Sequence, residues 1–303
     1  MTPPTDRVVS SSSPSVLRTA AAVLEAARPK QWTKNLFVFA GMVFTDNWRL
    51  LPDVLLIFGG YCAMSSGIYL LNDVRDRKQD AVHPEKRRRP IPRGDLSPTT
   101  AAIVGVVLCG IGLLMTATRG WTSALVAAGF VLLQGAYTLV LKHLVLLDVF
   151  SIAAAFILRV IAGAVAIRVP VSEWLLVCTL LLALFLGFGK RRHELIVLSE
   201  NPGQHRRALD HYSVAFLDQL ISIVLGALIV AYAVYSASSP TATSHPGMVA
   251  TLPFVVYGVF RYLYLVHMKH LGGSPELVLL QDRPLQASLL LWFVAVVAAF
   301  RFA

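Results

Sequence analysis

Charge is scarce in this chain. Asp, Glu, Lys and Arg supply 15% of its 303 residues, against about 25% in soluble domains. So apolar a chain is not intrinsically disordered, because disorder needs low hydrophobicity and high charge. A soluble globular enzyme is disfavoured for the same reason. Acid is scarcer than base: 17 Asp and Glu face 27 Lys and Arg, a net charge of +10. Cysteine is nearly absent. Cys62, Cys109 and Cys178 each sit in an apolar stretch without paired spacing, which excludes a disulfide scaffold and reads as three small core residues. No compact apolar run near the start precedes a small-residue cleavage site, so no signal peptide is expected. No internal repeat is evident. What the chain has in abundance is apolar side chains, 56% of residues with a mean hydropathy of +0.64. The expected fold is an all-α integral membrane protein, one helical bundle in the bilayer. With most of the chain committed to lipid, nucleic acid is not expected as a partner.

Residues 1–17, rich in Ser, Pro and Thr, read as a disordered tail, and 18–303 as a single transmembrane domain. Apolar runs place spans at about 35–48, 51–72, 99–118, 122–141, 146–167, 173–189, 214–236, 249–267 and 285–302, each near the length a bilayer needs except the first. Charge arbitrates that exception. Nine spans put 21 of the 27 cations on one side and 4 on the other, with Arg159 and Arg261 inside spans. Eight spans would split them 16 against 9. The positive-inside rule thus favours nine spans, with the tail and loops 2–3, 4–5, 6–7 and 8–9 cytoplasmic in a plasma membrane. Two of those loops, about 73–98 and 190–213, are long and dense in charge, and chemistry is expected there.

The first long loop opens Asn72-Asp73-Val74-Arg75-Asp76-Arg77-Lys78-Gln79-Asp80. If the second helix continues past Asn72, then Asp73, Asp76 and Asp80 share one face. Three carboxylates on one face repel unless a cation neutralises them, and oxygen ligands suit Mg²⁺ completed by substrate phosphates. The alternative is a solvated helix end with Arg and Lys mates. Four successive cations follow, Lys86, Arg87, Arg88 and Arg89. They read as a pyrophosphate cradle or as an anchor on anionic lipid. Pro84, Pro90, Pro92 and Gly94 argue against one continuous helix through the loop.

These residues resemble a known family. Asn-Asp-x-x-Asp-x-x-x-Asp followed by His83-Pro84-Glu85-Lys86 and Pro90-Ile91 is similar to the first aspartate motif of the UbiA-type intramembrane prenyltransferase superfamily. Arg28-Pro29-Lys30-Gln31-Trp32-Thr33-Lys34-Asn35, Tyr137 to Leu141-Lys142-His143, and Arg159-Val160-Ile161-Ala162-Gly163-Ala164 extend the resemblance to about residues 28–302. It implies a UbiA-like bundle with cytoplasmic cap loops. Prenyl-transferring members carry a second Asp-rich motif in loop 6–7. Here that place holds Gly189-Lys190-Arg191-Arg192-His193-Glu194-Leu195, which resembles the phosphoribosyl-transferring branch. That branch implies 5-phosphoribosyl diphosphate (PRPP) as donor, a polyprenyl (decaprenyl) phosphate as acceptor, Mg²⁺ as cofactor, and a step in arabinan cell-wall precursor synthesis.

On that reading Asp73 and Asp76 hold Mg²⁺ on the diphosphate, and Asn72 and Asp80 complete the shell. Lys34, Lys142, Lys190 and Arg191 are candidate phosphate contacts, or plain interface cations. Arg87 belongs to the cradle. Tyr137 reaches ribose or phosphate, or simply packs. Glu194 pairs with Lys190 four residues earlier or holds a ribose hydroxyl. Arg159, near mid-span, needs a partner or an aqueous chamber, and a polar chamber is expected. Arg261 is expected to snorkel, and Asp282 with Arg283 to form a local ion pair. A homo-oligomer is compatible with the sequence, which carries no signal for it. The competing readings are a prenyltransferase acting on an aromatic acceptor, a transporter, and a non-catalytic scaffold.

Overall fold

The computed structural model describes residues 16–43, 48–82, 86–199, 211–269, 271 and 275–302. Of the expected tail, 1–15 lie outside the described residues, while Val16 and Leu17 already open a helix. Every regular element among the described residues is helical. Nine longer helices are α1 (Val16–Ala27), α2 (Leu51–Val82), α3 (Pro98–Ala117), α4 (Trp121–Leu139), α5 (Leu147–Ala166), α6 (Glu173–Ser199), α7 (Val214–Ser238), α8 (Leu252–Met268) and α9 (Arg283–Phe302). From α2 to α9 these are long and apolar enough to cross a membrane, α8 together with the 3₁₀ turn Pro246–Thr251 before it. Their outer faces carry large apolar side chains in the open, such as Leu114 at 71%, Leu132 at 73% and Leu290 at 64% exposure. That inverts the soluble pattern and suits contact with lipid.

The expected first span is not a membrane-length α-helix. Residues Pro29–Phe39 form an eleven-residue 3₁₀ segment, followed by one α-turn, Ala40–Val43. It nevertheless crosses the bundle, antiparallel to α2. Arg28 meets Asp73, Trp32 bonds Ser66, Asn35 bonds Cys62, and the Phe39 ring lies 5.5 Å from Phe58. The rise explains the short length. Eleven 3₁₀ residues at about 2.0 Å cover about 22 Å, matching the fifteen α-helical steps from Asp73 back to Phe58 at about 1.5 Å each. Among the described residues eight helices, not nine, are long and apolar enough to cross a membrane, and the ninth expected span is this 3₁₀ segment packed along α2.

Close backbone approach fixes the bundle. A Cβ on Gly67 would lie 2.4 Å from the Gly105 carbonyl oxygen, and one on Gly112 2.4 Å from that of Gly60, so α2 and α3 touch through small residues. Gly163 lets the crossing segment lie against α5, since a Cβ there would sit 1.8 Å from the Val38 carbonyl oxygen. One apolar core gathers the crossing segment, α2, α4 and α5 around Tyr61, Met64 and Phe130. Another gathers α5 to α8 around Phe185, Phe188, Leu217 and Tyr262.

Two helices overshoot their expected ends. The 32 residues of α2 are about 48 Å long, well beyond a hydrocarbon core of about 30 Å. The acidic motif therefore stays helical through Asp80. Likewise α6 runs to Ser199, so Lys190 to Glu194 lie on a helix rather than in a loop. Pro84 lies outside the described residues; between α2 and α3 the described residues form a 3₁₀ turn Lys86–Arg88 and a short helix Pro90–Arg93 that Pro90 opens. Gly94, at φ 90°, ends the latter. Ser97 then caps α3 by accepting from the Thr100 N–H at 3.0 Å.

Candidate active site

The extended end of α2 carries the acidic motif against three cations. Asp73 is buried at 2% exposure. Its Oδ1 accepts from Arg28 and, at 3.0 Å, from Arg89. The same Arg89 Nη1 donates to Asp80 Oδ2 at 2.6 Å, and Lys86 stands 3.9 Å from Asp80. Arg89 thus ties together two carboxylates seven residues apart on one helix face. Arg28 reaches Asp73 from a left-handed backbone conformation (φ 54°) where the chain turns from α1 into the crossing segment, a strained geometry of the kind that gathers at functional sites. Its guanidinium also lies over the Tyr69 ring.

Asp76 turns to the neighbouring helix. Lys142, just past the end of α4, donates to both of its oxygens at 3.2 and 3.0 Å. The end of α4 is docked by Thr138: its hydroxyl donates to Asn72 Oδ1 at 2.6 Å, and its carbonyl accepts from Arg75 at 3.0 Å. Asn72 is thereby oriented within the site.

On the other side of residues 137–142 lies a second charged cluster. Arg191, on the polar extension of α6, is 2% exposed. It donates to Asp148 Oδ2 at 2.6 Å, to Glu194 Oε2 at 2.5 Å and to the Tyr137 hydroxyl at 3.4 Å. Asp148, also buried, accepts from the Tyr212 hydroxyl at 2.9 Å. That hydroxyl in turn accepts from the N–H of Leu146 at 2.7 Å, a residue held at φ 65°. Burial pushes the Tyr212 phenol well above its usual pKa, so it stays protonated as a donor to Asp148.

Asp73, Asp76, Asp80, Asn72, Tyr137, Lys142, Arg191 and Glu194 thus assemble at one end of the bundle. Lys190 lies half-buried beside Arg191. Arg87 is exposed, and the cradle cations turned onto the carboxylates are Arg89 and, less closely, Lys86. Lys34 donates to Gln31 within its own segment. Arg159 is 3% exposed and is satisfied by partners where a polar chamber was expected. It donates to Asn35 Oδ1 at 2.7 Å and the Ala155 carbonyl at 2.8 Å, and lies over the Phe130 and Phe156 rings. Arg261 pairs with Asp282 at 2.8 Å instead of snorkelling. Sequence reasoning missed Arg28 and Arg89 as carboxylate partners, and it missed Asp148 and Tyr212. An acid among Leu146, Leu147, Val149 and Phe150 was the available signal for Asp148, because such a residue demands a buried partner.

Among the described residues no three His, Cys, Asp or Glu side chains converge on one point as a ready metal cage. Asp73, Asp76 and Asp80 are each drawn to a cation instead. The donor set still fits a hard cation that a phosphate ligand would complete. Asp73 Oδ2 is buried without a hydrogen-bond partner, and one or two carboxylates plus substrate phosphates are the usual Mg²⁺ arrangement.

Residues 35–278 match the UbiA prenyltransferase family. The chain belongs to that family. Curated relatives named decaprenyl-phosphate phosphoribosyltransferase cover nearly all of it. The Corynebacterium glutamicum protein is 32% identical over 92% of this chain and 87% of its own length. The Mycobacterium tuberculosis protein is 32% identical over 93% and 95%, and the Mycolicibacterium smegmatis protein 30% identical over 93% of each. A UbiA homolog from Archaeoglobus fulgidus, solved bound to DMAPP and Mg²⁺, shares the fold with a TM-score of 0.71 at 16% identity, over 93% of this chain and 100% of that one. With its family and its eight apolar helices, the chain is a multi-pass membrane protein.

Proposed function

We propose that this protein transfers the 5-phosphoribosyl group of PRPP to a polyprenyl phosphate, decaprenyl phosphate in its relatives, and releases diphosphate. The observation that carries this reading is the near full-length identity to relatives of that name. The charge pattern supports it. The donor is anionic at two ends, and cations surround the site: Arg28, Arg89 and Lys142 on the carboxylates of α2, Lys190 and Arg191 on α6. We place this end of the bundle in the cytoplasm of a plasma-membrane protein, because 21 of the 27 cations fall on that side. The product suits a step of arabinan precursor synthesis.

Asp73 and Asp76 would hold Mg²⁺, with Asn72 and Asp80 beside them. Bound there, the metal supplies positive charge to the departing diphosphate. Arg28, Arg89 and Lys142 now neutralise the carboxylates. When the diphosphate arrives they exchange a carboxylate oxygen for a phosphate oxygen, so no buried charge is left unpaired. The bond from ribose C1 to the diphosphate oxygen breaks with its electron pair leaving on diphosphate. A phosphate oxygen of the acceptor, already anionic, forms the new bond to C1. No general base is required, positioning supplies most of the acceleration, and attack from the opposite face inverts C1.

The test is turnover by purified protein in detergent with Mg²⁺. One reaction receives labelled PRPP and decaprenyl phosphate, the other decaprenyl diphosphate and labelled 4-hydroxybenzoate. Labelled lipid in the first alone, lost with EDTA and restored by Mg²⁺, supports the proposal. Label in the second alone overturns it. Asp73→Asn is expected to lower the rate by about 100-fold or more, since metal-borne charge stabilisation amounts to several kcal/mol.

A further inference from the structure

Helix α1 presents three sectors around its axis. Ala22 and Ala26 are buried in a core shared with Leu70 of α2, Ala101 of α3, and Ile91 and Leu96 between them. Arg18 and Glu25, seven residues apart, share a polar line. The third sector is apolar and open: Val16, Leu17, Ala20, Ala21 and Leu24 are all exposed, Val16 at 86%, Leu17 at 82% and Leu24 at 58%. At 3.6 residues per turn these five fall within an arc of about 140° that holds no charge. Proteins seldom turn such a stripe to water.

Two contacts set the depth of α1. Ser66 donates to the Ala27 carbonyl at 3.1 Å. Ser66 lies seven residues before Asp73 on α2, about 10 Å nearer the middle of that helix. Ala101 lies three residues inside the spanning helix α3. The stripe is therefore level with the ends of the spanning helices, with Leu24 one turn before Ala27. The open apolar side of α3 begins at Ile103, two residues past Ala101, and continues through Val106 and Val107. Apolar surface thus runs on at one level from α3 to α1. Cations border it. Arg18 is exposed on α1 and Lys30 just past its end, and Arg87 and Arg88 are exposed on the loop. Arg93 ties that loop to α1 by bonding both Glu25, at 3.0 Å, and the Arg88 carbonyl, at 2.9 Å. An apolar stripe flanked by cations is the pattern of a helix that lies in a membrane interface, and its charge suits anionic headgroups.

We propose that α1 lies in the plane of the leaflet at the acidic-motif end of the bundle. Leu17, Ala20, Ala21 and Leu24 enter the upper acyl chains, and Arg18, Lys30, Arg87 and Arg88 meet the phosphates of anionic lipids. This goes beyond the phosphoribosyl reading and does not depend on it. Because α1 runs directly into Arg28, the same seat fixes the residue that reaches Asp73.

The experiment places the full chain in phosphatidylcholine nanodiscs with a minority of phosphatidylglycerol. Single cysteines replace Leu24, Val107 or Gln79 in a Cys178→Ala background, whose other cysteines, Cys62 and Cys109, are buried. Each carries a small fluorophore, and nitroxide lipids quench it. The probe at Leu24 is expected to lose emission mainly to a nitroxide near the headgroup end of the acyl chain. The probe at Val107, mid-span and open on α3, should lose it mainly to one at the methyl end. The probe at Gln79, exposed on the long extension of α2, should lose it to neither. A Leu24 probe that behaves like the Gln79 probe would overturn the proposal. So would one shielded from both nitroxides and from an aqueous quencher, because protein then covers the stripe. A second measurement needs no cysteine variant. Photoactivatable phosphatidylglycerol is expected to label the tryptic peptide 19–30 of the unmodified protein, and to label it more than photoactivatable phosphatidylcholine does. A cation near an anionic surface is worth about a 5-fold preference, so Arg18→Gln should lower the anionic preference on α1 by about that factor. Absence of label on α1 would overturn the seat, and equal labelling by the two lipids would overturn the anionic assignment.

Discussion

Gly163→Ala tests how the crossing segment is held. The new Cβ would sit 1.8 Å from the Val38 carbonyl oxygen and 2.7 Å from its carbonyl carbon, both backbone atoms that no rotamer change can move. Ordinary contact begins near 3.4 Å, so the segment or α5 must retreat by about 1.6 Å. Asn35 lies one 3₁₀ turn away and bonds Arg159 at 2.7 Å. If half of the retreat reached it, that bond would stretch to the limit of a hydrogen bond. Overpacking costs about 1–3 kcal/mol, and weakening a charged hydrogen bond in the interior about 1.5–3 kcal/mol. The better helix propensity of Ala returns about 1 kcal/mol. The net is a loss of about 2–5 kcal/mol, or roughly 4–15 °C in melting temperature. Thermal unfolding in detergent measures it. Gly129→Ala in α4 is the control, since nothing lies within 4 Å of its Cβ position, and its melting temperature should be unchanged or slightly raised. A Gly163→Ala protein that melts within about 2 °C of wild type would refute the tight apposition of the 3₁₀ segment and α5.

Asn35→Leu is expected to destabilise by about 3–5 kcal/mol, because it strips the buried Arg159 charge of its side-chain partner, while Arg159→Met should cost less by removing the charge itself. The reverse order of melting temperatures would contradict the view that Asn35 is there to satisfy Arg159. Asp282 lies just before α9 and outside the spans, where two hydrogen bonds from Arg261 hold its carboxyl below the usual value. A depressed carboxyl stabilises the fold above its unfolded pKa of about 3.9, and that contribution fades as pH falls toward the folded value. The stability difference between wild type and Asp282→Asn should therefore be present at pH 7 and vanish in acid. A difference that persists below the ordinary Asp range would count against the pair.

Fold class was legible because it depends on composition and on the length of apolar runs, which the bilayer imposes locally. The face shared by Asp73, Asp76 and Asp80 was legible too, given that α2 continues, since helical periodicity alone sets it. Charge asymmetry favoured nine spans, whereas eight helices have the length and apolarity to cross; the difference is residues 29–43, which pack along α2 mainly as a 3₁₀ segment. The 3₁₀ form of residues 29–39 was hidden. It follows from contacts with α2 and α5 and has no pattern of its own. Partner choice was hidden for the same reason. A run of four cations does not say that Arg89 bridges Asp73 and Asp80 while Arg87 stays exposed. Nor does the sequence reveal that Arg191 is consumed by Asp148, 43 residues away. The sequence by itself determined the solvent, the eight long apolar helices and the acidic face at the end of α2, all properties of single segments. Only the tertiary structure decided which charge meets which, because pairing between buried ions depends on distances across helices that no single segment contains.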